Sequence, residues 1–473
     1  MAVIKGAGGE EWQHFEDQAG YDPNAWTTTM KAAEARIDGL RRRDAVLQLT
    51  DRQGRPLADR AVVVRQTRSD FVWGYGGWRY LAQLQQGSFD HLDNRHRQQA
   101  DLQLFNALNL MHYWAERHCT NAPQNEEHQG HVDYELVDRA VQWARGHGLR
   151  CKGHPIYWPV EKAIPAWLMR YDYDTRLKFL EVRVRQLTAR LRGRMDYYDA
   201  VNEMMWEPTL RHTEQRHWPH IEPIEAIAEE CARVIGWARE EDPEAGYFLN
   251  EYGLARGETE PVPVATNTGG SISRDQQLDR FIALARELTA RGQEPDGLGI
   301  QSPPGDWSQL QRLADTLDAI GEGTGLPVHL TEFRTGVKHL ERLELPAAEI
   351  DERLAEYEEA VMVTCFGNPH CDALWWWGSH RLFQQGSGNT TGRRPTAVFE
   401  RLRSLIRDRW MTNETLRTDA DGVLRFRGFC GDYSLQLARS SGQTSGYAFR
   451  LPAACVGACE QRLRLGLIGA APV

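Results

Sequence analysis

Between about residues 70 and 408, short apolar runs alternate with longer segments whose apolar residues recur at helical spacing. The apolar runs are "FVWGYGG" (71–77), "LFNALNLMHYW" (104–114), "LRCKGHPIYW" (149–158), "DYYDAVNE" (196–203), "GYFLNEY" (246–252), "DGLGIQS" (296–302), "LPVHLTEF" (326–333) and "DALWWWGS" (372–379). Among the intervening segments, "SQLQRLADTLDAIGEG" (308–323) puts Leu310, Leu313, Leu317 and Ile320 on one helical face. "AEIDERLAEYEEAVMVTCFG" and "PTAVFERLRSLIRDRW" read the same way. Eight strand-then-helix units predict an α/β fold, a (β/α)8 barrel, in which chemistry gathers at the C-terminal ends of the strands.

The flanks follow other periods. Residues 24–43 read as a helix, and 44–66, "DAVLQLTDRQGRPLADRAVVVRQ", as two strands around a Gly/Pro turn. After about 410 the pattern is β again: "TLRTDADGVLRFRGFCGDYSLQLA" (415–438), with "DADG" as a tight turn. These two β segments resemble the halves of a transthyretin-like or carboxypeptidase-regulatory-like sandwich. Isolated hairpins are marginal, so each half needs the other. The expected organisation is a helical extension over 1–43, a first half-sandwich over 44–68, the barrel over 69–409 and the second half-sandwich over 410–473. With no cluster of exposed aromatics in it, a structural role for the sandwich is favoured over carbohydrate binding.

Composition narrows the partners. The 473 residues carry 56 Lys and Arg against 66 Asp and Glu, a net charge of −10, which argues against nucleic acid. No apolar stretch is long enough for a membrane span, and the first residues lack the apolar core of a signal peptide. The chain as given therefore reads as cytoplasmic, or as secreted if Met1 stands where a signal was removed. The 16 Trp and 15 Tyr suit either a large core or the flat faces of sugar rings. Of the eight Cys, Cys365/Cys371 and Cys455/Cys459 are near enough in sequence to pair, while buried thiols are the plainer reading. No Cys/His spacing makes a zinc site, and no metal or other cofactor is expected.

Two strand ends stand out. "YYDAVNE" ends in Asn202 and Glu203, and "HLTEF" carries Glu332. A carboxylate at the end of a buried strand is costly unless it is paired or used. Strands four and seven lie on roughly opposite sides of an eight-stranded barrel, so these carboxylates face each other across its mouth. That is the arrangement of glycoside hydrolysis: one group protonates the leaving oxygen, and the other attacks the anomeric carbon or activates water.

Six segments, in order, resemble glycoside hydrolase family 10, the xylanase family. "GHPIYW" is similar to "GHTLVWH", "YYDAVNE" to "WDVVNE", "FLNEYGL" to "YINDYNL", "DGLGIQS" to "DGIGLQSH", "PVHLTEF" to "PVWITELD", and "WWWGS" to "TFWGVTD". The resemblance implies that Glu203 is the acid/base and Glu332 the nucleophile of a retaining double displacement, with carboxyls about 5–5.5 Å apart. It implies that Asn202 bonds the sugar 2-OH and that His154, Trp158, Gln301 and Trp377 line the same sugar site. Tyr252 either packs or reaches the sugar, and Trp375 and Trp376 are either core or cleft. Repulsion from Glu332 is expected to raise the pKa of Glu203.

Two stretches depart from the family pattern. Where members read "FNSVTPENEMKW", this chain reads "FNALNLMHYWAE" (105–116), so three polar anchors become Met111, His112 and Ala115. His112, Tyr113 or Trp114 either forms a different subsite or is repacked wall. The family's His and Asp beside the nucleophile become Pro303 and Arg334. Arg334 either pairs directly with Glu332 or lies on the surface. His380 and Arg381 either reach the site or lie in a solvated loop. The expected activity is hydrolysis of a β-1,4-linked plant polysaccharide or its oligosaccharides, xylan first. The alternatives are a different or decorated β-glycan, or a barrel that binds sugar without cutting it.

Overall fold

The computed structural model describes residues 3–5, 11–13, 23–115, 124–205, 210–211, 222–254, 273–302, 307, 309–378, 381–383, 395–437, 445–453 and 459–464. Eight parallel strands close into a barrel in sequence order: β1 (Val72–Gly76), β2 (Ala107–Met111), β3 (Arg150–His154), β4 (Tyr197–Asn202), β5 (Gly246–Glu251), β6 (Gly297–Gln301), β7 (Val328–Phe333) and β8 (Cys371–Trp376). Seven lie inside the apolar runs, and the eighth starts one residue before its run, at Cys371. The strands are buried on both faces because helices cover them outside and side chains fill them inside, which is why they read as continuous apolar runs. The helices Leu310–Thr324 and Ala347–Phe366 bury the faces that their spacing marks, including Leu313, Leu317 and Ile320 in the first.

The two-residue alternation of a strand sorts the barrel interior into layers. Val72, Ala107, Ala373 and Trp375 form an apolar plug with Tyr197 packed on it. Above it the interior turns polar, with Lys152, Asp199, Asn250 and Thr331 all buried. Glycines make room for this layer. A Cβ on Gly74 would sit 1.9 Å from the Trp375 ring, and one on Gly299 2.5 Å from the Asn250 Oδ1 atom.

The flanking β segments form two facing sheets. One orders strands Asn413–Arg417, Ala61–Ser69, Gly431–Leu437 and Ser445–Leu451; the other places Arg42–Thr50 between Val423–Phe429 and Cys459–Arg464. Leu47 and Leu49 from one sheet share a buried core with Val62, Val64 and Leu435 from the other. The accessory β-sandwich is thus built from N- and C-terminal segments together. It joins the barrel at the N-terminal ends of the strands: Ser69 leads into β1, and Asp70 is paired by Arg450 at 2.6 Å and Arg150 at 4.0 Å. The mouth is at the opposite end. The C-terminal end of the helix Pro23–Arg41 meets the same underside, with Arg41 donating to the carbonyls of Phe366, Asn368 and Cys371.

Cys365 and Cys371 are buried free thiols rather than a disulfide. Cys455 lies outside the described residues. Among the described residues, no helix is long and apolar enough to cross a membrane, and no group of three or more His, Cys, Asp or Glu could hold a metal ion.

Candidate active site

Glu203 and Glu332 both adopt left-handed backbone conformations, φ 54° and 55°. A non-glycine residue there costs on the order of 1–3 kcal/mol, a strain that surrounding structure must hold in place. Here β4 shifts register against β5 between Asp199 and Val201, and β7 shifts against β8 between Leu330 and Phe333. The bulges turn both carboxylates out of the strand pleat and into the mouth. The Glu203 N–H is then caught by the Asn250 carbonyl at 2.8 Å.

One set of side-chain hydrogen bonds joins the two acids. Trp158 Nε1 donates to Glu203 Oε2 at 2.8 Å and Gln301 Nε2 to Glu203 Oε1 at 3.0 Å. Gln301 Nε2 also reaches Asn202 Oδ1 at 3.3 Å, and Asn250 Nδ2 bridges Asn202 Oδ1 at 2.8 Å and Glu332 Oε1 at 3.0 Å. Thr331 Oγ1 donates to Asn250 Oδ1 at 2.5 Å, which fixes that amide's orientation. With its own oxygen accepting from two amides, Asn202 is left with a buried Nδ2 that has no partner among the described residues. An unpartnered donor beside two carboxylates suits a ligand hydroxyl.

A buried ionic chain supports Glu332 from below. Lys152 Nζ lies 2.8 Å from Asp199 Oδ1, with the two side chains 0% and 1% exposed. Asp199 Oδ2 accepts from His154 Nδ1 at 2.7 Å, which turns His154 Nε2 toward Glu332 Oε1, 4.0 Å away. Burial alone would raise the Asp199 carboxyl, but Lys152 and His154 outweigh it and hold it below its ordinary range.

Burial, and then the Glu203 carboxylate, push Glu332 well above the ordinary carboxylate range; Asn250 and Lys152 oppose the rise without cancelling it. Sequence reasoning put the perturbation on Glu203. It did not foresee the rise at Glu332, where desolvation acts in addition to the neighbour's charge.

The other expected residues divide. Trp377 packs edge-on to His154, with centroids 4.9 Å apart, so His154, Trp158, Asn202, Gln301 and Trp377 converge with the two carboxylates. Tyr252 follows β5, its N–H donating to Glu251 and its carbonyl accepting from Gln277, with its ring partly buried against the core. Trp375 and Trp376 are core: Trp375 stacks in the barrel interior and Trp376 donates to Glu358 on the outside.

His112 and Arg334 require correction. His112 is 0% exposed and cannot face a sugar. Met111 pairs in register with the inward His154, so the next residue, His112, falls on the helix-facing side, beside Gly153 and Tyr198. Burial and then Arg183 lower its pKa to about 3, so it is neutral. Arg334 makes no ion pair or hydrogen bond with Glu332. The cation acting on Glu332 is Lys152. Arg381 pairs with Asp351 at 2.5 Å and Glu341 at 3.8 Å on the flanking helices. Pro303 and His380 lie outside the described residues.

Sequence reasoning missed Lys152, Asp199, Asn250 and Thr331. Lys152 sits two residues before His154, and Asn250 pairs in register with Asn202, so strand alternation from the expected residues would have found both.

Glycosyl hydrolase family 10 matches residues 118–382, more than half of the chain and all of the barrel from β3 through β8. The chain is 23% identical over 426 residues to the anti-sigma-I factor RsgI6 of Acetivibrio thermocellus, covering 87% of this chain and 47% of that protein. It is 24% identical over 420 residues to endo-1,4-beta-xylanase 2 of Arabidopsis thaliana, covering 85% of this chain and 33% of that one. The chain thus spans between a third and a half of the length of these relatives. Among solved structures, it superposes on xylanase 10B of Thermotoga petrophila RKU-1 in complex with xylobiose with a TM-score of 0.51 at 16% identity, over 72% of this chain and 94% of that one. That likeness shows the shared barrel fold. With the family match covering the strands that carry both acids, the chain belongs to glycosyl hydrolase family 10.

Proposed function

We propose that the protein is a retaining glycosidase that cleaves β-1,4 bonds of a plant polysaccharide or its oligosaccharides, xylan first. One observation carries the reading: two carboxylates at the tips of β4 and β7, each turned inward by a strained left-handed residue and joined by a shared amide network. Strain of this kind at two facing acids is the mark of a site held for chemistry. Family membership and relatives named as endo-1,4-beta-xylanases support xylan as the substrate.

In the first step Glu332, ionised, attacks the anomeric carbon, and the protonated Glu203 gives its proton to the leaving oxygen. In the second, Glu203 takes a proton from water, which displaces Glu332 from the anomeric carbon. The working form therefore has one proton on the pair, carried by Glu203, whereas in the free protein burial and the Glu203 charge favour protonated Glu332. Substrate binding must bring Glu332 to its ionised form. Asn202 Nδ2 donates to the sugar 2-OH, with its amide turned for that role by Asn250 and Gln301. His154 Nε2 and Asn250 Nδ2 orient the attacking carboxylate. All of these roles fall to the chain's own side chains.

The test is a Glu332→Gly variant supplied with azide and an activated aryl β-xyloside. A nucleophile at this position yields a glycosyl azide of inverted configuration, whereas hydrolysis at the wild-type rate in Glu332→Ala would sink the mechanism. A barrel that binds sugar without cutting it is the second reading; one of the relatives is named an anti-sigma-I factor and not an enzyme. A wild-type chain that binds β-glycans and releases no reducing ends would select it.

A further inference from the structure

The mouth is chemically divided. From β4 to β7 its inward tips are polar: Asn202, Glu203, Asn250, Gln301 and Glu332. From β8 round to β2 they are aromatic or apolar. Trp377 follows β8, Trp78 follows β1, and Met111 and Tyr113 come at and just after the end of β2. Met111 and Ala115, which stand where the family pattern has polar anchors, are buried at 0% and 4% exposure, and His112 is turned away behind the wall.

Trp78 and Trp377 are both partly buried, and their rings meet at 85° with centroids 5.7 Å apart. Tyr113 extends the wall, 5.6 Å from Trp78 and 5.6 Å from Trp158. His154 connects this corner to the acids, 4.9 Å from the Trp377 ring and 4.0 Å from Glu332. Two perpendicular indoles offer a pyranose ring one flat face and one side wall. β1 and β2 precede residue 118, so Trp78 also lies outside the segment matched by the family.

We infer that Trp78 and Trp377 form an aromatic corner that holds the sugar unit next to the one being cleaved by its ring face, so that this unit's C2 and C3 oxygens can carry substituents such as O-acetyl groups. The inference rests on the glycosidase reading and specifies its substrate. Binding by stacking leaves the ring hydroxyls unclaimed, whereas binding by hydrogen bonds to those hydroxyls rejects a substituted unit, because buried polar groups would lose their partners. Trp78 sets specificity here and takes no part in bond breaking.

The test compares p-nitrophenyl β-xyloside, p-nitrophenyl β-xylobioside and the same xylobioside acetylated on its distal unit, with the full chain. Trp78→Ala is expected to lower kcat/KM on the xylobioside about tenfold or more and on the xyloside less than about twofold, with Trp78→Phe restoring most of the loss. Wild type is expected to cut the acetylated xylobioside within about threefold of the plain one. Equal losses on both glycosides in Trp78→Ala, or a loss of about a hundredfold on acetylation, would overturn the inference. Calorimetry with xylobiose separates the two readings. Binding that needs Trp78 in a chain that cleaves neither glycoside defeats the hydrolase reading and keeps the corner; cleavage of both with no Trp78 effect defeats the corner alone.

Discussion

Glu358 offers a direct test of the electrostatic reasoning, away from the reacting groups. It lies on the helix Ala347–Phe366, fully buried, and accepts from Thr335 Oγ1 at 2.8 Å and Trp376 Nε1 at 3.1 Å. It thereby ties the segment after β7 to β8, whose next residue is Trp377. Burial pushes its pKa from 4.5 to about 7, against the pull of those two hydrogen bonds. In the unfolded chain the carboxyl loses its proton near 4.5, while in the folded chain it keeps it to about 7. Between those values the folded state binds more protons, so stability falls as pH rises. At 1.36 kcal/mol per pH unit, the folded state loses about 3 kcal/mol between pH 4.5 and 8 through this one group. Glu358→Gln is nearly isosteric, keeps an oxygen for Trp376 and cannot ionise. The assay is urea unfolding of both proteins at pH 5 and pH 8. The variant is expected to gain about 2.5 kcal/mol relative to wild type on going from the lower to the higher pH, whatever its offset at pH 5. Other titrating groups are common to both proteins and cancel. A wild-type-to-variant difference that is the same at both pH values refutes the buried-acid account.

Three further outcomes follow from the same structure. Lys152→Met leaves the buried Asp199 carboxylate without its lysine cation, with His154 still bonded to it, and should cost about 3–5 kcal/mol in chemical unfolding. Gly74→Ala forces a Cβ into the Trp375 ring and should cost about 1–3 kcal/mol, with a change in the near-ultraviolet circular dichroism of the displaced indole. In Glu203→Gln the like charge beside Glu332 is gone, so Glu332 should ionise at lower pH. The acid limb of turnover on an activated aryl glycoside, which needs no proton donor, should move down, and a limb that stays in place would refute the coupling.

The barrel was legible because its strands are buried on both faces and so stand out as apolar runs separated by amphipathic helices. The acids were legible because Glu203 and Glu332 interrupt such runs where a carboxylate is costly. The failures share a cause. His112 and Arg334 were judged by their place in a motif, and the facing of a side chain depends on the alternation of the strand. The same alternation, followed inward from His154 and Asn202, leads to Lys152 and Asn250. The rise at Glu332 was not foreseen because burial, which motif matching does not measure, adds to repulsion.

The accessory sandwich also constrains how the chain is made. Among the described residues, strand Arg42–Thr50 finds its neighbours in Val423–Phe429 and Cys459–Arg464, so about 370 residues separate it from the first of them. At roughly 5–20 residues per second, a ribosome takes about 20–75 seconds to deliver that partner. Through that interval Leu47 and Leu49 have no sheet to enter, while the barrel strands behind them emerge in the order in which they pair. Strands Val423–Phe429 and Cys459–Arg464 thus close a seam that Arg42–Thr50 began before the barrel was made. A nascent chain that stalls short of residue 423 leaves an apolar edge open to the sheets of other molecules.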